Sequence, residues 1–382
     1  MPIDDLELSV VMPCLNEENT IRQCIDDCLN VFKEHSIHGE VIIVDNGSTD
    51  SSIDLISKTN ATLITEPNKG YGAALRSGFN QASGKYTIMM DSDGTYDPYQ
   101  IPLILNLLKS GKDFVNGTRL TPLMEKGSMP FLHRWVGVPF LGWLVRVVSG
   151  SKLKDAHCGI RGFKSSAVRS LGLKSDGMEL ASEIIIMAAR NNLPTAEFVA
   201  EYRLRKGSSK LNTIHDGWRH LRLILSYGPS QFVFVPGITS LIVGWVLLIV
   251  LFAGPIFING FMFDYHYMLL GSVLSFIGLE ITILGLIAKS HTVAKKITPN
   301  DSVVNWGLKH LSVEKALLAG FVILCLGGLL SLYILSTWFL NEFSFPSQNM
   351  IRQGIFATSM LISGTQLIFG ILILGLYNSH TR

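Results

Sequence analysis

Charge is scarce in this sequence. Asp, Glu, Lys and Arg make up 16% of the 382 residues, and mean hydropathy is +0.34; soluble domains run nearer about a quarter charged. The shortage is local: no charged side chain occurs from Gln231 to Phe263, from Ala316 to Asn341, or from Gly354 to Tyr377. Net charge is also low, at +2, which excludes a strongly basic nucleic-acid binder and an acidic disordered tail. Five cysteines (Cys14, Cys24, Cys28, Cys158 and Cys325) form no CxxC pair, excluding a disulfide scaffold and a tetrathiolate zinc site. Cys24 and Cys28 lie one helical turn apart and read as packing. The opening MPIDDLELSVVMP lacks Lys and Arg, so it does not read as a signal peptide and is expected to stay in the cytosol. The first strand–helix turn, PCLNEEN, lacks glycine, which excludes a GxGxxG dinucleotide loop; no Walker loop occurs either.

What remains is split in two. Each uncharged run exceeds the roughly 20 residues that cross a bilayer core. A fourth, Tyr267 to Ala288, is interrupted only by Glu280. Four transmembrane helices are predicted, at about 233–255, 267–288, 316–340 and 354–377. A soluble four-helix bundle would need polar faces that these runs lack. Lys289, Lys295, Lys296, Lys309 and Lys315 lie between the second and third spans, whereas Pro255 to His266 and Asn341 to Met350 contain no Lys or Arg. By the positive-inside rule the lysine-rich loop and both termini are cytosolic. Glu280 is read as an acid near the cytosolic third that meets water or Lys289; the alternative is a polar contact with another helix or the lipid head region. Two segments, 131–148 and 214–226, mix Trp135, Trp143 and Trp218 with Arg134, Arg146, Arg219 and Arg222. That mixture suits the headgroup layer, although a core helix with a solvated rim would carry it too. The expected domains are 1–212, a juxtamembrane helix at 213–230, and a membrane domain at 231–382.

The first half alternates strand and helix. Strands are predicted at 8–13, 40–45, 61–65 and 86–90, and helices at 18–32, 51–59 and 71–82. This βαβαβ order implies a parallel doubly wound sheet with ligands beyond the carboxyl ends of its strands. Polar clusters fall at those ends: Asn16 and Glu17, Asp45 to Ser48, and Asp91 to Asp93. The glycines of NKGYGAALRSGFNQASG (Gly70, Gly72, Gly78) read as close helix packing or as direct ligand contact.

Asp91 and Asp93 lie one residue apart, where an apolar strand enters a turn containing Gly94 and Pro98. Two carboxylates so placed suit a hard divalent cation that keeps positions for phosphate oxygens, neutralising charge on a departing diphosphate. Taken with Pro13 to Glu17, Val44 to Asp50 and Gly70 to Gly78, the Asp91-Ser92-Asp93-Gly94 string resembles the successive motifs of family 2 glycosyltransferases, which have the GT-A fold. Asn116 to Arg119, Asp155 to Gly159, and the RLRKGSSKL stretch from Arg203 to Leu211 resemble the branch that glycosylates polyprenyl phosphates, the dolichol-phosphate mannose and glucose synthases.

That resemblance, over about residues 6–215, implies an α/β GT-A catalytic domain joined to an all-α four-helix membrane domain. It implies transfer of a hexose, with inversion, from a nucleotide sugar to polyprenyl phosphate at the cytosolic membrane face. Pro13, Leu15, Asn16, Glu17, Asp45, Asn46 and Ser48 would frame the nucleotide. Asp91 and Asp93, with Ser92 between them, would hold Mg²⁺ or Mn²⁺ on the donor diphosphate. Arg119 would reach the donor and Arg134 the acceptor phosphate, while Asp155 shapes the acceptor site. Arg205 and Lys210 would close over the phosphates, with Arg203 the alternative to Arg205. Asp45-Asn46 stands where the family usually has two aspartates, which tilts the donor toward UDP-glucose; GDP-mannose is the alternative. A processive polysaccharide synthase would carry a QxxRW motif, and the string His133-Arg134-Trp135 lacks its Gln. A membrane scaffold with a degenerate transferase domain is disfavoured by the intact carboxylate pair. Nucleic acid is not an expected partner, and homo-oligomerisation is left open.

Overall fold

The computed structural model describes residues 6–120, 124, 125, 127–205, 213–294, 313–344, 347 and 349–379. The chain forms two compact units, residues 1–224 and 225–382.

In the first unit, β1 (Leu8–Cys14), β2 (Gly39–Asp45), β3 (Thr62–Thr65) and β4 (Tyr86–Met89) run parallel. Helices α1 (Ile21–Glu34), α2 (Ser52–Ile56) and α3 (Tyr71–Gln81) connect them. The alternation of apolar runs and polar turns therefore gives the expected wound half-sheet. Helix α1 buries Ile21, Cys24, Ile25, Cys28, Val31 and Phe32, one apolar stripe at helical spacing. The two cysteines are core packing. Helix α3 packs as its glycines allow: Gly72 lies against the backbone at 175–177 and Gly78 against Val11 and Val44.

After β4 the sheet departs from the all-parallel expectation. Its order is β3-β2-β1-β4-β6-β5-β7, with β5 (Phe114–Thr118), β6 (Arg161–Lys164) and β7 (Thr195–Val199). Strand β6 runs antiparallel to both β4 and β5, while β5 and β7 are parallel. A four-residue strand reading RGFK gives little alternation to mark it in sequence. Between β4 and β7 lie α4 (Ile101–Lys109), α5 (Val138–Ser149), α6 (Ser165–Ser170) and α7 (Leu180–Arg190).

A π-helical turn, His133–Gly137, leads into α5. Leu132, Val136, Phe140, Trp143 and Val147 recur at helical spacing and are all exposed, whereas Leu144 and Val145 are buried. The apolar face of this segment therefore turns out of the unit. In α8 (Thr213–Tyr227) Trp218 is exposed while His220 and Ile224 are buried.

The second unit holds four helices long and apolar enough to cross a membrane, over Ser230–Phe252, Tyr265–Ala294, Val313–Leu340 and Asn349–Leu376. They correspond to a π-turn plus α9 (Val235–Phe252), then α10 (Tyr265–Ala294), α11 (Val313–Leu340) and α12 (Asn349–Ser379). A hairpin, β8 (Ile256–Ile258) and β9 (Phe261–Phe263), joins α9 to α10. Asn259 and Gly260 at its tip have φ of 49° and 83°, the left-handed pair that a tight hairpin of matching twist needs. Small residues let the helices approach, with Gly244 against Ser275 and Gly364 against Leu324, as expected where lipid removes any hydrophobic drive between helices. Glu280 accepts a 2.7 Å hydrogen bond from Gln366 Nε2 of α12. It thus has the helix-to-helix contact that the alternative reading foresaw. Lys295, Lys296 and Lys309 lie outside the described residues.

Candidate active site

The ends of β1 and β2 are laced together by polar side chains. Asn16 has φ of 52° and accepts a 2.7 Å hydrogen bond from Thr49 N–H at its Oδ1. Asn16 N–H donates to Ser48 Oγ at 2.9 Å, and Glu17 N–H to Ser52 Oγ at 2.9 Å. Asp45 is buried and accepts from Gly47 N–H at 3.0 Å and Ser48 N–H at 3.2 Å. Ser92 Oγ donates to the Pro13 carbonyl at 2.6 Å, tying β4's turn to β1. Leu15 remains largely exposed beside this edge.

The carboxylate pair sits at the end of β4. Asp91 Oδ1 accepts from Tyr71 Oη at 2.8 Å. Asp93 Oδ1 accepts from Thr95 N–H at 3.0 Å and Thr95 Oγ1 at 2.6 Å. On its other flank Asp91 lies against Gly159, where any side chain would run into the carboxylate. Burial, and then the charge of Asp93, push the Asp91 carboxyl up to about 7. Arg205 faces the pair from across the site: NH1 is 3.3 Å from Asp93 Oδ2, and NH2 is 3.0 Å from Glu17 Oε1. Its Nε is buried without a hydrogen-bond partner among the described residues. Arg203 pairs instead with Asp97, at 2.6 Å.

These residues fit a divalent cation. Each carboxylate has one oxygen held by a neutral donor, while Asp93 Oδ2 faces the Arg205 cation. Among the described residues no group of three or more His, Cys, Asp or Glu is gathered to enclose an ion. A cation held by this carboxylate pair would keep positions for water and phosphate, as Mg²⁺ and Mn²⁺ do at phosphate sites. Two buried like charges also repel, and a cation relieves that repulsion.

Arg119 and Asp155 form a second cluster. Asp155 accepts from Arg119 Nε at 2.8 Å, Arg119 NH2 at 3.0 Å, Arg119 N–H at 3.1 Å and His157 N–H at 2.9 Å. Burial alone would raise Asp155, but the Arg119 charge and hydrogen bonds outweigh it and hold the acid at about 2. The Arg119 guanidinium lies 5.3 Å from the Tyr202 ring centroid, a cation–π contact. Asn116 Nδ2 donates to the Asp155 carbonyl at 2.9 Å.

Glu17, Asp91, Asp93 and Arg205 thus share one site. Arg134 does not join them: it stands on the turn before α5 with its guanidinium 5.5 Å from the Trp135 ring. Lys210 lies outside the described residues. Asn46 is engaged by backbone on every side, with Nδ2 donating to the Glu66 and Asn68 carbonyls and Oδ1 accepting from Gly70 N–H. Sequence reasoning missed Tyr71, Thr95 and Arg161, and marked Gly159 only as part of a motif. The D-x-T spacing of Asp93 and Thr95 signals a local side-chain turn; nothing local signals Tyr71, whose reach depends on α3 packing. Arg161 is fully buried and donates to the Ala156, Cys158 and Ala181 carbonyls at 2.8, 2.9 and 2.7 Å, pinning the loop that carries Asp155.

A sheet edge bearing paired carboxylates and facing arginines, in a chain with four long apolar helices, defines a membrane-attached transferase class. Residues 9–172 match the Glycosyl transferase family 2 model, and residues 286–378 match the model of the Glycosyltransferase family 2 C-terminal transmembrane region. The low-salt glycan biosynthesis hexosyltransferase Agl6 of Haloferax volcanii is 33% identical over 371 residues, covering 96% of this chain and 88% of that protein. A dolichyl-phosphate hexose transferase of the same organism is 28% identical over 211 residues, 55% of this chain and 89% of its own length. Among solved structures, glucosyl-3-phosphoglycerate synthase from Mycobacterium tuberculosis aligns with a TM-score of 0.47 at 21% identity, over 59% of this chain and 80% of that one. The chain belongs to glycosyltransferase family 2, and it is a membrane protein with a C-terminal transmembrane region.

Proposed function

We propose that this enzyme transfers a hexose, with inversion, from a nucleotide sugar to a polyprenyl phosphate at the cytosolic membrane face. UDP-glucose is the favoured donor. The observation that carries the reading is the Asp91–Asp93 pair facing Arg205 in a chain that also spans a membrane. The similarity to a dolichyl-phosphate hexose transferase supports the acceptor class. The positive-inside rule puts the lysine-rich loop, both termini and the catalytic unit in the cytosol. The exposed apolar face from Leu132 to Val147, rimmed by Arg134 and Arg146, suits contact with headgroups.

In the proposed mechanism Glu17, Asp45 and the backbone of the β1 and β2 turns frame the nucleotide. Asp91 and Asp93 would hold a divalent cation, which would neutralise charge at the leaving diphosphate. Arg205 exchanges its contact with Asp93 for a diphosphate oxygen, and its buried Nε gains a partner. Arg119, fixed by Asp155, presents positive charge toward the donor, and Arg134, which stands apart from the carboxylate pair, would meet the acceptor phosphate as it approaches from the membrane surface. A phosphate monoester has a second pKa of about 6 and is largely a dianion near neutral pH, so its oxygen attacks the anomeric carbon without a protein base. Asp155 is consistent with that economy: paired with Arg119 and held at about 2, it is a poor proton acceptor. Catalysis then rests on holding two anionic reactants together and stabilising charge.

The test is a panel of radiolabelled sugar nucleotides presented to membranes with polyprenyl phosphate, scored for labelled lipid. UDP-glucose should label the lipid, excess chelator should stop labelling, and Asp93→Asn should abolish it in protein that remains folded and inserted. Labelling by Asp93→Asn at wild-type rate would exclude the metal reading. Labelling from GDP-mannose alone would overturn the donor.

A further inference from the structure

Asn46 is the position at which this sequence departs from a pair of aspartates, and its amide has no donor left for a ligand. Its two Nδ2 hydrogens go to the Glu66 carbonyl at 3.0 Å and the Asn68 carbonyl at 2.9 Å. Its Oδ1 accepts from Gly70 N–H at 2.6 Å. The residue is 7% exposed. Two carbonyls on one end and an N–H on the other fix the amide's orientation unambiguously. A carboxylate could not serve: it has no hydrogen to give, and would face two carbonyl oxygens at contact distance.

What the amide holds is the entry to α3. Gly70 has φ of 143° and lies so close to the Asp176 carbonyl that no Cβ fits. The next N–H groups secure the start: Ala73 N–H donates to the same Asp176 carbonyl at 3.0 Å. Tyr71 is the first residue of α3, and its hydroxyl donates to Asp91 Oδ1 at 2.8 Å. Asn46 therefore lies two hydrogen-bonded steps from a carboxylate it does not touch.

We propose that Asn46 and Tyr71 are positioning residues that act in series on Asp91. Asn46 sets the backbone at Gly70, Gly70 sets where Tyr71 begins, and the Tyr71 hydroxyl holds one oxygen of Asp91 and so fixes the plane of the carboxylate that would meet the cation. The inference rests on the metal reading above and deepens it. It assigns the Asn at 46 to site geometry rather than to reading the nucleotide base.

The test is Mn²⁺ binding to the full-length protein in detergent, followed by electron paramagnetic resonance with no donor present. Thermal unfolding of each variant serves as the folding control. Wild type should bind the ion. Tyr71→Phe, which removes one oxygen atom, should bind about tenfold more weakly, within the range for lost outer-shell partners of a metal site. Asn46→Asp should weaken binding by a similar factor. The double variant should be no weaker than the worse single one, because both changes break one series. If Asn46→Asp does not fold, Tyr71→Phe alone decides. Unchanged affinity in Tyr71→Phe, or losses that multiply in the double variant, would overturn the relay while leaving the metal site standing. Absence of Mn²⁺ binding in wild type and in both variants would overturn the metal reading, and the relay with it.

Discussion

Residues 6–224 and residues 225–379 both bury charge, but they saturate it differently. In the first unit the Asp155 carboxylate takes hydrogen bonds from Arg119 Nε, NH2 and N–H and from His157 N–H, and Arg161 spends its guanidinium on three carbonyls of the same region. In the second, Asp264 at a helix start is just as crowded, its Oδ1 taking Arg352 Nε at 2.8 Å, Arg352 NH2 and Tyr265 N–H at 2.7 Å, whereas Glu280, exposed within a span, has one bond from Gln366. The reason is the backbone. A sheet edge exposes turns whose N–H and C=O groups must be satisfied, so polar side chains collect there and lock one another. Transmembrane helices satisfy their own backbones, and the polar side chains between them act as isolated fasteners. Saturated charge therefore marks the turns and helix starts of this chain, the reactive sheet edge among them, whereas a single bond marks the acid within a span.

Breaking the saturated cluster should have the largest effect. Asp155→Asn leaves Arg119 buried beside a neutral amide that cannot match its fork. Removal of one partner from a buried pair costs about 3–5 kcal/mol. Urea unfolding of the catalytic unit's transition in the full-length protein should report a loss of that order, together with a fall in transfer of at least tenfold. A change below about 1 kcal/mol would mean the pair is replaceable by water.

Much of this contrast is legible in the sequence, and the rest is not for identifiable reasons. The first four strands stand out because apolar runs end in polar turns, and the membrane helices because charge vanishes. Asp91 and Asp93 declare themselves at a strand end. Strand β6 is hidden, because RGFK pairs in the sheet only after a long excursion through α4 and α5. Tyr71 is hidden because its partner lies across the fold, 20 positions along the chain. The role of Asn46 is hidden because the carbonyls it serves belong to a loop whose path depends on α3. Glu280 was visible as an oddity, but its partner on α12 needed the packing of α10 against that helix.

A second, smaller effect should appear with pH. His220 lies on the buried face of α8 with its Nδ1 2.9 Å from Ser182 Oγ, its ring 4.5 Å from that of His157. Burial lowers His220 to about 4, against a partial rise from Glu179 and Asp216 and a further lowering by Arg161 and Arg219. Burial also takes His157 well below its ordinary range. A folded-state pKa below the unfolded value of about 6.5 means that the unfolded chain binds more protons between them. Stability from a neutral His220 is then fully present above about 6.5 and lost as pH falls toward 4, by about 3 kcal/mol. Urea midpoints at pH 7.5, 6 and 5 should decline in wild type and decline less in His220→Asn. Parallel declines would assign the acid sensitivity elsewhere.

The smallest effect should come from Glu280, the acid within the apolar run of α10, and its smallness is the informative part. Glu280 lies near the middle of α10 and is exposed on the flank of the unit, with Gln366 Nε2 as its hydrogen-bond partner among the described residues. An ionised carboxylate at that depth is costly, by about 2.5–3.5 kcal/mol even on insertion scales, and one amide donor does not offset a full charge. A neutral partner such as Gln can make the same bond without the charge. Hydrogen bonds between transmembrane helices average about 0.6 kcal/mol, so Glu280→Gln should keep transfer activity and shift stability by less than about 1 kcal/mol. Glu280→Leu should cost at most about 1–2 kcal/mol, through the lost bond and the unpaired Gln366. Both can be read by denaturation in mixed micelles alongside lipid-labelling rate. If Glu280→Gln instead removes activity while the helices remain folded, the charge itself is used. The acid at 280 would then belong with the saturated residues of the catalytic unit rather than with the fasteners around it.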